Sequence, residues 1–221
     1  MKTNTELRRQ GREALAGRWG TFVAATLLCY VINFFVQAPA QLSDFSRNVL
    51  MTGLGTNVTL YSSTGILSLL ILPLSYGFDT IFLRNLRGEQ VGVEHMFDGF
   101  RDYGRIFITL LWQNVLVVLW ALLLIVPGIV KSLAYALTPY ILLDNPKLST
   151  VEAIHLSREM MFGYKGKLFL LLLSFIGWGI LCIFTCCIGF LWLSPYMQSS
   201  MAAFYEDVRA DYEMRKLSPQ A

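Results

Sequence analysis

Long apolar segments, separated by shorter polar stretches that hold most of the charge, dominate the pattern of this chain. Residues 19–38 and 66–83 each match one membrane-crossing helix, which needs about 20 apolar residues. Residues 106–143 and 168–205 are longer and are interrupted by glycine and proline. At about 1.5 Å per residue, each of these two segments is long enough to cross a bilayer twice. The pattern therefore predicts an all-α, polytopic membrane protein with six transmembrane helices.

The composition agrees with a membrane protein and excludes an ordinary soluble domain. Hydrophobic residues make up 55% of the chain and charged residues 15%, whereas soluble domains carry about 25% charged residues. The net charge of +3 is too small to indicate a nucleic-acid partner by itself. We expect one integral membrane domain over residues 1–221 and no bound nucleic acid.

Basic residues concentrate on one side of the predicted helices. They precede the first helix, occupy the segments after the second and the fourth, and follow the sixth. Lys131 lies within an apolar segment, and Arg47 is the basic residue of an outer loop. By the positive-inside rule, this distribution places both termini in the cytoplasm.

The first apolar segment could also belong to a cleaved signal peptide. Ala38-Pro39-Ala40 resembles a small-residue cleavage site that follows a basic start. The segment is longer than an ordinary signal core and contains Asn33, and the repeat described next uses it as a helix. We therefore expect it to be retained.

A threefold repeat underlies the six helices. Each unit begins with a glycine and a basic residue before an apolar run, at Gly17-Arg18, Gly104-Arg105 and Gly166-Lys167. Later in each unit a tyrosine follows a leucine and a small residue, at Tyr76, Tyr135 and Tyr196. The spacing agrees once a polar insert at 39–65 is removed from the first unit. The repeat predicts three helical hairpins, in units 1–88, 89–146 and 147–210, with an outer loop at 39–65 and a cytoplasmic tail at 206–221.

A cytoplasmic amphipathic helix is predicted before each hairpin. The second carries an apolar stripe at helical spacing, formed by Val93, Met96, Phe97 and Phe100. The third opens with a capping box from Ser149 to Glu152 and runs through Met161, and the first has a weaker stripe over 7–16. Such helices lie in the headgroup plane or pack under a bundle. An interaction platform for another protein is the alternative.

The turns at the outer ends of the second and third hairpins, residues 126–129 and 186–189, carry no charge. They can therefore lie within the outer leaflet, and whether these hairpins span fully or re-enter stays open. If the protein binds a molecule outside the membrane, we expect residues 41–63 to contact it.

Five polar side chains within the apolar segments form a candidate intramembrane site: Asp79, Lys131, Asn33, Gln113 and Asn114. Ionisable groups in a membrane are costly and by default point to a function. Hydrogen bonds between helices would explain the same residues without a substrate. Helix lengths place Asp79 and Lys131 at different depths, so we expect no direct ion pair, and we expect Lys131 to extend to the headgroups.

No motif of the common hydrolases, ATPases or metalloproteases occurs in the sequence. His95 and His155 are isolated, and Cys182, Cys186 and Cys187 lack histidine or carboxylate neighbours. We therefore expect no catalytic constellation, no metal and no other cofactor.

The function predicted from these observations is a non-catalytic module that organises membrane lipid, or a partner protein at the cytoplasmic helices. A small permease with a site between the hairpins is the alternative, because of Asp79, Lys131 and the glycine and proline breaks. An intramembrane enzyme acting on lipid is the third hypothesis. A homo-oligomer is left open.

Much of the chain resembles a known bacterial family. The segment from Pro127 to Tyr135, followed by 138–142 and 144–146, is similar to the integral-membrane family called domain of unknown function 975. The resemblance continues at 149–163, 174–178, 188–192, 195–196 and 204–206, and it covers about residues 66–207. It implies a multi-pass protein of the bacterial cytoplasmic (inner) membrane with no established activity. A more distant likeness, to the membrane domain of some glycerophosphodiesterases, rests on architecture and points to lipid-related work.

Overall fold

A computed structural model describes residues 2–53, 72–185 and 188–217. Within these ranges the regular structure is helical, which confirms the all-α class. In chain order the helices are α1 (Asn4–Leu15), α2 (Trp19–Gly53), α3 (Leu72–Leu86), a 3-10 helix (Val93–Phe100), α4 (Tyr103–Leu123), α5 (Ile125–Tyr135), α6 (Thr138–Asp144), α7 (Thr150–Met160), α8 (Lys165–Phe184) and α9 (Phe190–Leu217).

Four of the described segments are long and apolar enough to cross a membrane: Trp19–Val36, Tyr103–Leu123, Val126–Asp144 and Lys165–Phe184. In the first, second and fourth, 17%, 17% and 22% of the residues are buried by the protein, against 56% in the third. Three long helices therefore lie on the outside of the bundle, and α5 and α6 lie inside it. Six membrane crossings were predicted, and four segments of the described residues meet the length and hydropathy of a crossing. Part of the second predicted crossing, residues 66–71, lies outside the described residues.

Of the breaks predicted in the two long apolar segments, the one at Gly189 is confirmed, because α8 ends at Phe184 and α9 begins at Phe190. The other two differ from the prediction. The break expected at Pro127-Gly128 falls at Leu124, whose backbone is extended, with φ −159° and ψ 137°. Pro127 instead occupies the first turn of α5, where its missing N–H leaves no helical hydrogen bond unmade. Pro195 lies inside α9 and does not end it, since the helix continues to Leu217. A membrane-type bundle tolerates such a proline because neighbouring helices and local adjustments satisfy the freed backbone groups.

Two predicted non-helical segments are helical where the structure describes them. The outer loop was expected from residue 39, but α2 continues to Gly53, because residues 40–52 contain no glycine or proline. Residues 54–65 lie outside the described part of the chain. The tail expected from residue 206 begins as the last turns of α9, which ends at Leu217.

The three short helices pack against longer ones instead of lying flat. Leu7 and Leu15 of α1 are fully buried, and the hydroxyl of Ser199 in α9 donates to the carbonyl of Gly11 at 2.8 Å. In the same way, the hydroxyl of Ser157 in α7 donates to the carbonyl of Ala134 at 3.0 Å. The apolar faces of these helices are therefore largely used inside the fold.

The apolar stripe predicted for the second short helix is only partly buried. Met96 is fully buried, but Phe97 and Phe100 are exposed. The cause is the helix type: a 3-10 helix has about three residues per turn, so Met96 and Gly99 share a face that Phe97 and Phe100 do not. The backbone of Met96 lies so close to α3 that only a glycine, Gly77, fits opposite it.

These contacts close the chain into a ring. The 3-10 helix packs on α3, α7 packs on α5 and α6, and α1 packs on α9. Each short helix thus contacts the last helix of the preceding unit, and α1 contacts the last helix of the third. The centre of the ring is aromatic: Phe22 and Phe82 lie 4.9 Å apart between ring centroids, and Tyr140 and Tyr205 stack at 5.2 Å.

Candidate functional site

Asp79 lies in the middle of α3, on the side that faces the other inner helices. Its side chain is partly buried and accepts a hydrogen bond from the amide of Gln198 in α9. Tyr140 of α6 and Cys29 of α2 lie within electrostatic range of the same carboxylate. Asp79, the one carboxylate of the predicted site, therefore lies near side chains from three other helices.

The other four predicted site residues do not join Asp79. The ammonium of Lys131 lies over the ring of Trp120, at 4.7 Å from its centroid. The amides of Asn33 and Asn114 donate to carbonyls of their own helices, Cys29 at 2.9 Å and Leu110 at 2.8 Å, and not across helices as expected. The Oε1 atom of Gln113 is buried and has no hydrogen-bond partner among the described residues.

A cluster that the sequence analysis missed joins the ends of α3 and α6 to the middle of α9. Asp144 accepts two hydrogen bonds from the guanidinium of Arg87, at 2.6 and 2.8 Å. It also accepts one from Arg209 at 2.8 Å and one from the hydroxyl of Tyr205 at 2.7 Å. Arg87 in turn binds Glu206 at 2.6 Å. The hydrogen bonds to Asp144 and Glu206 raise the pKa of the Arg87 guanidinium above its ordinary value.

The repeat contains a signal for this cluster. Asp144 and Tyr205 each follow the repeat tyrosine of their unit, Tyr135 and Tyr196, by the same nine positions. Superposing the units would therefore have placed both residues at corresponding ends of inner helices. Arg87 has no counterpart of this kind, because it follows α3 in a turn.

The repeated basic residues have a common role in the structure. Arg18 donates to the backbone carbonyl of Glu89 at 2.9 Å, just after α3, and Arg105 donates to that of Asn145 at 3.4 Å, just after α6. Lys167 pairs with Asp207 of α9 at 3.3 Å. Each of these bases lies at the start of an outer helix and binds the last helix of its own unit or the segment just after it. Arg18 and Arg105 bind backbone carbonyls after the helix, whereas Lys167 binds a carboxylate within α9.

Metal ligands are not grouped in the described residues. No set of three or more His, Cys, Asp or Glu side chains is close enough there to hold an ion. The Nδ1 atom of His95 accepts a hydrogen bond from the backbone N–H of Gly92 at 3.2 Å. Cys182 is buried as a free thiol, and Cys186 and Cys187 lie outside the described residues.

Comparison with protein families identifies the chain. The family described as "Protein of unknown function (DUF975)" matches residues 1–132 and 122–212. These ranges include the first 65 residues, in which the resemblance from motifs was vaguer, and the chain belongs to this family. No curated protein and no solved structure matches the chain, so the likeness to glycerophosphodiesterases stays an untested prediction.

Proposed function

We propose that this DUF975 protein is a non-catalytic module of the bacterial inner membrane that organises lipid around its outer helices. The observation that carries the proposal is the apolar surface of α2, α4 and α8. Large side chains remain exposed along these helices, including Phe34, Leu122 at 84% and Phe184 at 82% of full exposure. A continuous exposed apolar surface of this extent marks contact with a membrane or a partner.

The hydrogen bonding of polar side chains inside the bundle supports a lipid environment. Several polar side chains within the long helices have hydrogen-bond partners in the protein. The hydroxyls of Thr109 and Thr150 bond across helices at 2.9 Å, and the exposed Asn114 donates to the carbonyl of Leu110 in its own helix. Asp79 likewise turns to Gln198 in the interior. In hydrocarbon each unpaired polar group costs several kcal/mol, so this arrangement suits a bundle that is surrounded by lipid.

The proposed topology has three hairpins, six crossings and both termini in the cytoplasm. The contacts of Arg18, Arg105 and Lys167 support it, because they join the start of each outer helix to residues that follow the apolar part of the inner helix in its unit. Both ends of a hairpin then lie on one side of the membrane. The positive-inside rule assigns this basic side to the cytoplasm.

Lipid is a better-supported partner than protein. The apolar faces of α1 and α7 are mostly taken up by internal contacts, with Leu7 and Leu15 fully buried and Ile154 nearly so, while Val151 of α7 stays 68% exposed. A protein partner at the cytoplasmic helices would have to use the few aromatic side chains that stay exposed there, such as Phe97 and Phe162.

The experiment is release of the purified full-length protein from nanodiscs of bacterial lipid into a mass spectrometer. We expect the chain to retain a small, defined number of phospholipids, and we expect those lipids to be chemically unchanged after incubation. A bare chain would contradict lipid organisation. Conversion of phospholipid to product by the purified protein would show an enzyme instead.

A small permease is the second candidate, because Asp79 lies near side chains from three other helices. Its test is uptake of a panel of ions and metabolites into proteoliposomes by the wild type, Asp79→Asn and Asp102→Asn. Asp102 is the control, because its side chain is 64% exposed and lies outside the bundle interior. Uptake that is lost only in Asp79→Asn would favour the permease, and background uptake in all three would count against it.

A further inference from the structure

A groove between α1, α2, α8 and α9 combines an aromatic wall with a single cation. Its volume is about 280 Å³, and it is open on one side. Its lining includes Arg12, Trp19, Trp178, Trp192 and Tyr196. We infer that this groove binds an anionic phospholipid, with the phosphate at Arg12 and part of an acyl chain against the indoles. This inference rests on the proposed function.

The aromatic lining suits an acyl chain beside a polar headgroup, because tryptophan and tyrosine rings are apolar and carry a polar edge. It extends from Trp19 and Arg12 to Trp192 and Gly189, at the turn between α8 and α9. Trp178 and Trp192 are about half exposed, on the outer face of the bundle. They are therefore accessible to a lipid without any movement of the helices.

Arg12 supplies the charge that selects the ligand. Among the ion pairs of the described residues Arg12 takes part in none, and its side chain is exposed at the groove. The nearby acid on the same helix, Glu13, is already paired with Arg9 at 3.6 Å. An arginine binds a phosphate through two parallel N–H bonds. A lipid with a net negative charge is preferred, because a zwitterionic headgroup partly neutralises its own phosphate.

The size of the groove limits what it holds. Pockets for small molecules have volumes of about 300–1,000 Å³, and this groove is at the lower end of that range. It accommodates a phosphate and part of one chain, while the remainder of the lipid stays in the bilayer. A free phosphate ion would match Arg12 but would leave the aromatic wall without a ligand.

The test compares lipid retention by variants of the full-length protein in a mass spectrometer. The probes are phosphatidylglycerol and phosphatidylcholine with identical chains, titrated onto the delipidated protein in detergent. We expect the wild type to prefer phosphatidylglycerol. Loss of one charged phosphate contact in Arg12→Gln should weaken that binding about fivefold to tenfold. Arg12→Lys should keep most of the preference.

Two further variants test whether a loss of lipid binding comes from the groove itself or from a general change in charge. Arg9→Gln removes the same charge from the same helix, but Arg9 lies outside the groove and is paired with Glu13, so we expect wild-type binding. Trp192→Ala should weaken binding of both lipids, because it removes part of the wall. Wild-type binding by both Arg12→Gln and Trp192→Ala would overturn the assignment of the groove.

The remaining outcomes also decide the inference. Equal retention of the two lipids by the wild type would overturn the anionic preference while leaving lipid organisation intact. Displacement of phosphatidylglycerol by millimolar inorganic phosphate alone would show a phosphate-ion site instead of a lipid site. Retention of no lipid at all by the wild type would overturn the proposed function together with the inference.

Discussion

The guanidinium of Arg87 and the carboxylate of Asp144 form a two-bond ion pair, with Nη1 to Oδ1 at 2.6 Å and Nη2 to Oδ2 at 2.8 Å. The pair joins the end of α3 to the end of α6. Arg209 of α9 binds the same carboxylate at 2.8 Å, so one side chain connects helices from all three units. Since the side chain of Asp144 is only 10% exposed, this contact is much less screened by water than a surface pair.

Asp144→Asn should therefore lower the stability of the folded protein. The change leaves two guanidinium groups without their shared counter-charge, and we expect a loss of about 2–3 kcal/mol, since both arginines keep some contact with water. Thermal unfolding in detergent measures the effect. The matched control is Asp102→Asn, which removes an exposed partner of Arg105 at 3.9 Å and should cost less than about 1 kcal/mol. Equal melting temperatures for the two variants would contradict the role of the cluster.

The capping box at the start of α7 predicts a pH dependence. Hydrogen bonds from the backbone and hydroxyl of Ser149 lower the pKa of Glu152 below its ordinary value. Because the folded-state pKa is the lower one, the contribution of Glu152 is complete above the unfolded-state pKa of about 4.3 and is lost as the pH falls through the folded-state pKa. In Glu152→Gln the amide can still accept the bonds but does not titrate. The melting temperature of the wild type should thus fall toward that of Glu152→Gln below about pH 4.3, and parallel curves would contradict this.

The crossing of α3 and the 3-10 helix depends on one glycine. A Cβ atom at Gly77 would overlap the backbone carbonyl of Met96, which cannot move without displacing the whole segment. Gly77→Ala should destabilise the protein by about 1–3 kcal/mol or more. Gly104→Ala is the matched control, because nothing lies within 4 Å of the added Cβ atom there. Alanine is the better helix former, so the control should be neutral or stabilising by about 0.5–1 kcal/mol. Equal unfolding temperatures for the two variants would show that the crossing is not tight.

The all-α class and the first residues of the outer helices could be predicted from the sequence. Both follow from the order of apolar and polar residues within one segment. The fourth apolar segment was expected from residue 168, and α8 begins at Lys165. The apolar stripe in residues 93–100 was predicted for an α-helix with 3.6 residues per turn. The segment is a 3-10 helix, and Phe97 is therefore exposed. Nothing in so short a segment distinguishes the two helix types, since packing against Gly77 of α3 selects between them.

The polar clusters could be predicted less well because they join distant parts of the chain. Arg87 and Asp144 are 57 positions apart, and Tyr205 is 61 positions from Asp144. Their pairing depends on how the three units pack against one another. The pattern of residues along a single helix carries no information about that packing. Asp79 was found because a carboxylate in an apolar segment is conspicuous by itself. Its partner Gln198 was not, because the pattern along the chain does not show that α9 packs against α3 at this amide.

The proposed topology makes a prediction about access from either side of the membrane. In a chain whose four native cysteines are changed to alanine, Ser62→Cys lies in the expected outer loop and Lys147→Cys lies between α6 and α7. Lys147 is exposed in the structure, so a cysteine there is accessible to reagent on its own side. With both termini in the cytoplasm, a membrane-impermeant maleimide added to intact cells should label Ser62→Cys and not Lys147→Cys. Lys147→Cys should react only after the membrane is permeabilised. Labelling of Lys147→Cys in intact cells would invert the orientation, and equal protection of both positions would show that the segment around residue 62 does not reach the outer surface.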